Sequence, residues 1–127
     1  MSWKIIGRIT TKEDNKAIPG LMVQAWDKDL ENADEYLGDA KTDELGEFTI
    51  EFIQEDFSHW GTEEAPDIYL IVKNENDAII HSTEETVKWD IKEEEYVYVR
   101  IPKDLLTKKP VGDPSNRAEQ IRRILQG

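Results

Sequence analysis

Two histidines are the side chains best suited to proton chemistry. His59 stands beside Trp60 in DFSHWG, and His81 stands in AIIHST. An imidazole titrates nearest to neutral pH, so a loop histidine can hold a ligand or move a proton. General acid–base work also needs an orienting partner. Glu55 and Asp56 lie close to His59 in sequence, and a small hydrolase is the enzymatic reading of that loop. No nearby arrangement of Ser, His and Asp accompanies them, and the chain has no cysteine nucleophile. The simpler reading is a loop that folds Phe57 and Trp60 over the open end of the fold, because aromatic rings bury the most apolar area. His81 reads as a strand residue that faces solvent or takes a hydrogen bond.

A second candidate is ionic. Asp27, Asp29, Glu31, Asp34, Asp39 and Asp43 follow one another closely, and Ca²⁺ takes six to eight oxygen ligands. Asp27, Asp29 and Asp43 are the donors we single out. The order lacks the glycine and the terminal glutamate of an EF-hand loop. A solvated acidic face that discourages edge pairing is the competing reading. Apart from calcium, no cofactor is expected. A third candidate is aromatic: Trp3, Trp26, Trp60 and Trp89 could stack on sugar rings. Trp26 belongs to an outer face with Met22 and Gln24. Joined by Tyr96 and Tyr98, it would form an exposed apolar patch of the kind that marks a partner surface.

The frame for these side chains is one domain of 127 residues. Hydrophobic residues make up 38%, enough for a lean core. The net charge of −12 disfavours nucleic acid and anionic membrane surfaces as partners. It is unevenly spread. Asp27 to Glu64 carries 14 acids against 2 bases, whereas Lys103 to Gly127 carries 6 bases against 3 acids. No segment has the run of apolar residues that membrane insertion needs. MSWKIIGRITTKED has no signal-peptide core, so a protein that is cytoplasmic, or released without a signal peptide, is expected.

The body reads as strands. Ile5, Gly7 and Ile9 alternate with Ile6 and Arg8, the period of a half-buried strand. After the Pro19-Gly20 turn, Leu21, Val23 and Ala25 oppose Met22, Gln24 and Trp26. Tyr36 to Thr42 is a short strand. TDELGEF pairs an Asx-forming Asp43 with Gly46, which predicts a hairpin over about 40–53. Within it Phe48, Ile50 and Phe52 form an oily face. DIYLIVK is apolar on both sides, as a central strand would be. In EYVYVRIP, Val97, Val99 and Ile101 face inward, and Tyr96, Tyr98 and Arg100 face out. Short strands at intervals near ten residues predict an all-β antiparallel sandwich of about seven strands. Residues 1–102 would form this body and 103–114 a Pro/Gly linker. Residues 115–127 would form a short C-terminal helix whose stripe of Ala118, Ile121, Ile124 and Leu125 docks on a partner or on the body.

The order I-x-G-x-I at 5–9, IPGL at 18–21, V-x-A-W-D at 23–27, TDELGEFTI at 42–50 and PDIYLIV at 66–72 resembles the transthyretin-like modules. These are also called carboxypeptidase-regulatory-like or peptidase-associated domains. The resemblance covers about residues 4–102. It implies a prealbumin-like Greek-key sandwich and a non-catalytic binding, spacer or assembly role. The similar hydroxyisourate hydrolases end in Tyr-Arg-Gly-Ser, and this chain ends in Ile124-Leu125-Gln126-Gly127. Intradiol dioxygenases of the same shape hold iron with two tyrosines and two histidines. Here only His59 and His81 are present, and neither sits in that spacing. The expected function is therefore a binding or assembly module with a protein partner or a second copy of itself. Its contacts would come from the acidic loops 27–36 and 54–66, from Trp26, His59, Trp60, Tyr96 and Tyr98, and from the tail. A small hydrolase, or a calcium- or carbohydrate-binding domain, is the alternative. EYVYVR is the strand edge most suited to pairing with a copy of itself.

Overall fold

The computed structural model describes residues 2–30, 33–53, 66–88 and 91–110. Among them are seven strands: β1 (Ser2–Thr11), β2 (Met22–Asp27), β3 (Glu35–Lys41), β4 (Glu47–Ile53), β5 (Ile68–Lys73), β6 (Ile79–Ser82) and β7 (Glu94–Ile101). The helical content among the described residues is two short 3-10 turns, Glu84–Thr86 and Lys103–Thr107. No helix among these residues is long and apolar enough to cross a membrane. The strands form two sheets, β4-β1-β7 and β3-β2-β5-β6. The chain is an all-β sandwich.

The alternation read from the sequence becomes the burial pattern. Trp3, Ile5 and Ile9 of β1 point inward with Phe48, Ile50 and Phe52 of β4 and with Val99 and Ile101 of β7. Val23, Ala25, Leu37, Leu70, Val72 and Ile80 meet them from the second sheet. Each fully buried branched side chain contributes about 2 kcal/mol of transfer free energy, which is why the inward rows hold the layers together. Trp3 stacks on Phe52 with ring centroids 6.2 Å apart, so it is core and not part of a sugar platform. Gly7 is inward-facing because the Phe48 ring lies across it. A Cβ there would come within 2.2 Å of the ring.

Two features follow from tertiary pairing. Four of the five ladders are antiparallel, but β7 runs parallel to β1. Period-two burial selects a face and is silent on strand direction. β7 reaches β1 from the other sheet, with no hairpin to force reversal. The second feature corrects the hairpin at 40–53. The turn itself closes as expected: Gly46 N–H donates to the Asp43 carbonyl at 2.9 Å, Asp43 N–H to the Glu47 carbonyl at 2.9 Å, and Gly46 has φ +74°. Yet β3 pairs with β2, and β4 pairs with β1 in the opposite sheet. The segment is a corner between layers. Buried Thr42 sets it by accepting from Leu21 N–H (3.0 Å) and donating to the Ile18 carbonyl (2.7 Å).

The body also continues past residue 102. Within the segment expected as linker, Lys103–Thr107 winds as a 3-10 turn, and Leu105 and Leu106 pack against the core. Buried Asn74 pins it, donating to the carbonyls of Leu105 (3.2 Å) and Lys108 (2.7 Å). The expected helix at 115–127 and its stripe of Ala118, Ile121, Ile124 and Leu125 lie outside the described residues.

Candidate functional site

The sandwich is unlike on its two sides. The corner 42–47 closes one side. On the other, β6 and β7 are the last strands of their sheets, and the layers stand apart. A cavity of about 350 Å³ opens there. Ile68, Leu70, Val97 and Val99 form its apolar floor, and His81, Thr83, Thr86, Lys88 and the tyrosines of β7 form its rim.

His81 reaches this cavity through a bulge. Val72 pairs with His81 and Lys73 with Ile79, so Ile80 is the extra residue. Val72 faces inward, and its cross-strand neighbour does the same. A bulge re-aims the side chains that follow it. His81 therefore points into the seam, where the sequence suggested solvent or a hydrogen bond. Burial depresses its pKa and favours the neutral ring. Among the described residues it has no hydrogen-bond partner. Thr83 is occupied, since its hydroxyl accepts from Leu70 N–H at 2.8 Å. Lys88 Nζ lies 3.6 Å from Glu95 and reaches the Tyr96 carbonyl at 3.4 Å. Among the described residues the arrangement supplies an apolar surface with polar edges and no carboxylate bonded to the imidazole.

Tyr96 and Tyr98 lie on the outward side of β7 and are 66% and 51% exposed. Tyr98 is braced at its tip, with its hydroxyl 2.8 Å from that of Thr10 and bonded also to Asn15. Asn15 holds its place with φ 57°, in a turn where Lys16 N–H donates to Thr11 Oγ1 at 2.9 Å. A second cavity of about 370 Å³ lies on this outer face, between Ile6, Arg8, Glu47 and the tyrosines. The two cavities share Tyr96, Val97 and Tyr98, one on each side of the strand.

Trp26 is on an outer face, as expected, but on the other sheet. It is half-buried, with Tyr36 edge-on at 5.4 Å and its indole N–H 3.3 Å from Gln24 Oε1. It cannot join Tyr96 and Tyr98, because β2 and β7 belong to opposite layers and both outer faces point away from the core. His59, Trp60, Glu55 and Asp56 lie outside the described residues.

The acids also separate. Asp27 and Asp29 stand at the far end of β2. Asp27 accepts from Asp67 N–H at 3.0 Å, and burial, with Asp67, Glu35 and Asp29 nearby, pushes its pKa up to about 6. Asp43 is at the other end, where its Oδ1 accepts from Leu45 and Glu47 N–H at 2.9 Å each. A six-residue strand is about 17 Å long, so Asp43 cannot share an ion with Asp27 and Asp29. Among the described residues no group of three His, Cys, Asp or Glu side chains is placed to hold a metal ion. Asp34 is structural: it accepts from Asp29 N–H (2.9 Å) and from the Tyr69 hydroxyl (2.7 Å), and both bonds lower its pKa. Lys28 bridges Asp34 (3.6 Å) and Glu84 (2.8 Å), tying the acidic loop to the segment that borders the open seam.

No family model and no curated protein matches the chain. Among solved structures its fold is similar to part of a 9R-lipoxygenase from Cyanothece PCC8801. That match has a TM-score of 0.57 and 21% identity over 77% of this chain, and it spans 16% of the lipoxygenase. The fold is also similar to an intradiol ring-cleavage dioxygenase from Tetranychus urticae, with TM-score 0.53, 11% identity and coverage of 87% and 83% of the two chains. A second dioxygenase gives TM-score 0.52 and 14% identity at the same coverage. At such identities the shared property is the two-sheet all-β architecture. That class, a small acidic β-sandwich domain, is what fold and composition together define.

Proposed function

We propose that this domain is a non-catalytic binding or assembly module that engages a protein partner through the open side of its sandwich. The observation that carries the reading is β7, an end strand with two exposed tyrosines flanked by a cavity on each side. Tyrosine offers large contact area with few rotatable bonds and is enriched at interfaces. The acidic loop around 27–36 borders the same side through Lys28 and Glu84. Its field would speed encounter and select partners more than it would add affinity. The resemblance to transthyretin-like modules supports the same role.

The test is site-specific photo-crosslinking of the full chain in the cell that makes it. A photoreactive residue replaces Tyr96 in one sample and Lys41, on the closed side, in another. A discrete adduct from position 96 that is absent from position 41 is expected. No adduct at 96, or the same adducts from both positions, would sink the reading.

A further inference from the structure

We infer that β7 pairs antiparallel with β7 of a second copy of this chain, about a twofold axis at Val97. The inference rests on the binding reading above and names the partner. Among the described residues, β1 lies on one side of β7 and no strand lies on the other. The carbonyls of Glu93 and Ile101 accept from Lys4 and Lys12 N–H, at 2.8 and 2.9 Å, on the β1 side. The Tyr96 carbonyl points the opposite way, toward Lys88. Backbone polarity alternates along a strand, so Glu94, Tyr96, Tyr98 and Arg100 hold their N–H and C=O groups toward the free edge.

An antiparallel partner must then match even-numbered residues with even-numbered residues. With the axis at Val97, strands overlap over 94–100. Glu94 meets Arg100 of the second copy, and Tyr96 meets Tyr98 of the second copy, each twice by symmetry. All four side chains share the outer face, so the charges and rings are direct cross-strand neighbours. A slip one way sets Lys92 against Arg100. A slip the other way sets Glu94 against Pro102, which cannot donate to a ladder.

The other end strands lack this self-complementarity. β3 carries a bulge against β2, and β6 has four residues and a bulge against β5. β4 presents only Glu47 and Glu51 as charges on its outer face. β7 has eight residues with no register shift against β1. Lys88 is the one described side chain seen on its free carbonyls. It is exposed, so pairing displaces a solvated lysine and not a packed one.

Sedimentation of the full chain, up to millimolar concentration, tests this. Physiological salt is used, because the charge of −12 repels a second copy and screening then acts over about 8 Å. A reversible monomer–dimer equilibrium is expected. Glu94→Arg and Arg100→Glu should each weaken it about tenfold, and the double variant should return it to near the parent value. Val97→Cys gives a chain with a single thiol, and it should form an intermolecular disulfide on mild oxidation. Residues facing each other at a non-hydrogen-bonded antiparallel pair lie within disulfide reach. A monomer at every concentration overturns the inference. So does a dimer indifferent to both charge reversals or one that the double variant fails to restore. A monomer whose position 96 still crosslinks to a different protein overturns the second copy and leaves the binding reading standing.

Discussion

The two sides of the sandwich answer the same problem differently. Each sheet must end somewhere, and the end strands leave backbone groups unpaired. At the closed side the chain crosses between layers through 42–47 and spends buried hydrogen bonds on the crossing, with Thr42 held by Leu21 and Ile18. Gly46 lies so close to Ile9 that a Cβ would come within 2.4 Å of its carbonyl oxygen. At the open side the chain passes from β6 to β7 through a longer stretch, in which Lys88 bridges to Ile68 and Ile91 is buried in the core. The seam keeps a cavity, a histidine without a partner among the described residues, and an end strand with tyrosines in water. One side is built for stability, with the polar groups of Thr42 and Asp43 taken up by the corner itself. The other leaves polar and apolar surface uncommitted, which is what recognition requires.

Substitutions can break or sharpen that contrast. The largest effect belongs to Gly46→Ala. Positive φ and the Ile9 carbonyl both oppose a side chain there, and about 3 kcal/mol of stability should be lost, read by urea unfolding. A loss within error would mean the corner is looser than its geometry. Thr42→Val keeps shape but strips both hydrogen bonds, leaving the Leu21 N–H buried and unsatisfied. It should cost about 2 kcal/mol in the same assay.

Asp27→Asn acts the other way, at neither side. The folded pKa is raised to about 6 from the ordinary aspartate value of 3.8, so the native state holds this proton more tightly than the unfolded chain does. Stability is therefore lost as pH rises from about 4 to 6. Removing the charge should raise stability at pH 7 by about 1 kcal/mol, a figure already reduced for the solvent that reaches this half-buried group. The gain should vanish below about pH 4, and a gain that persists there would assign it to another cause.

His81→Leu should have a smaller effect, visible as a pH slope. The folded imidazole has a depressed pKa, so protonation below about 6.5, the unfolded value, weakens the native state. The variant should lose that part of the acid sensitivity, and an unchanged slope between pH 7 and 5 would place the ring in water. Smallest is Tyr96→Ala, with less than about 0.5 kcal/mol on stability because the side chain is 66% exposed. Its consequence should be confined to binding. A large loss of stability would make this tyrosine part of the fold and remove the contrast between the two sides.

Much of the frame was legible in the residues. The inward rows of β1, β2, β4 and β7 were read correctly because a strand's side-chain period is two and each sheet has one buried face. DIYLIVK proved to be the internal strand β5 for the same reason, being apolar on both faces. The site was less legible. His81 turned inward because one bulge shifts the phase of every side chain after it, and AIIHST contains no glycine or proline to announce one. Trp26 parted from Tyr96 and Tyr98 because outward-facing residues on two sheets share a polarity pattern and not a surface.

Sequence alone determined the local terms: which face of each strand is oily, where the chain turns at Asp43 and Gly46, and the acidic charge. These depend on neighbours within a few residues, so the order of side chains is enough. Only the tertiary structure decided that the turn at 43–46 links two sheets, that β7 lies parallel to β1, and that β6 and β7 leave a seam between them. Those outcomes depend on which distant strand completes each backbone edge, and hydrogen-bonding capacity is the same for every residue except proline.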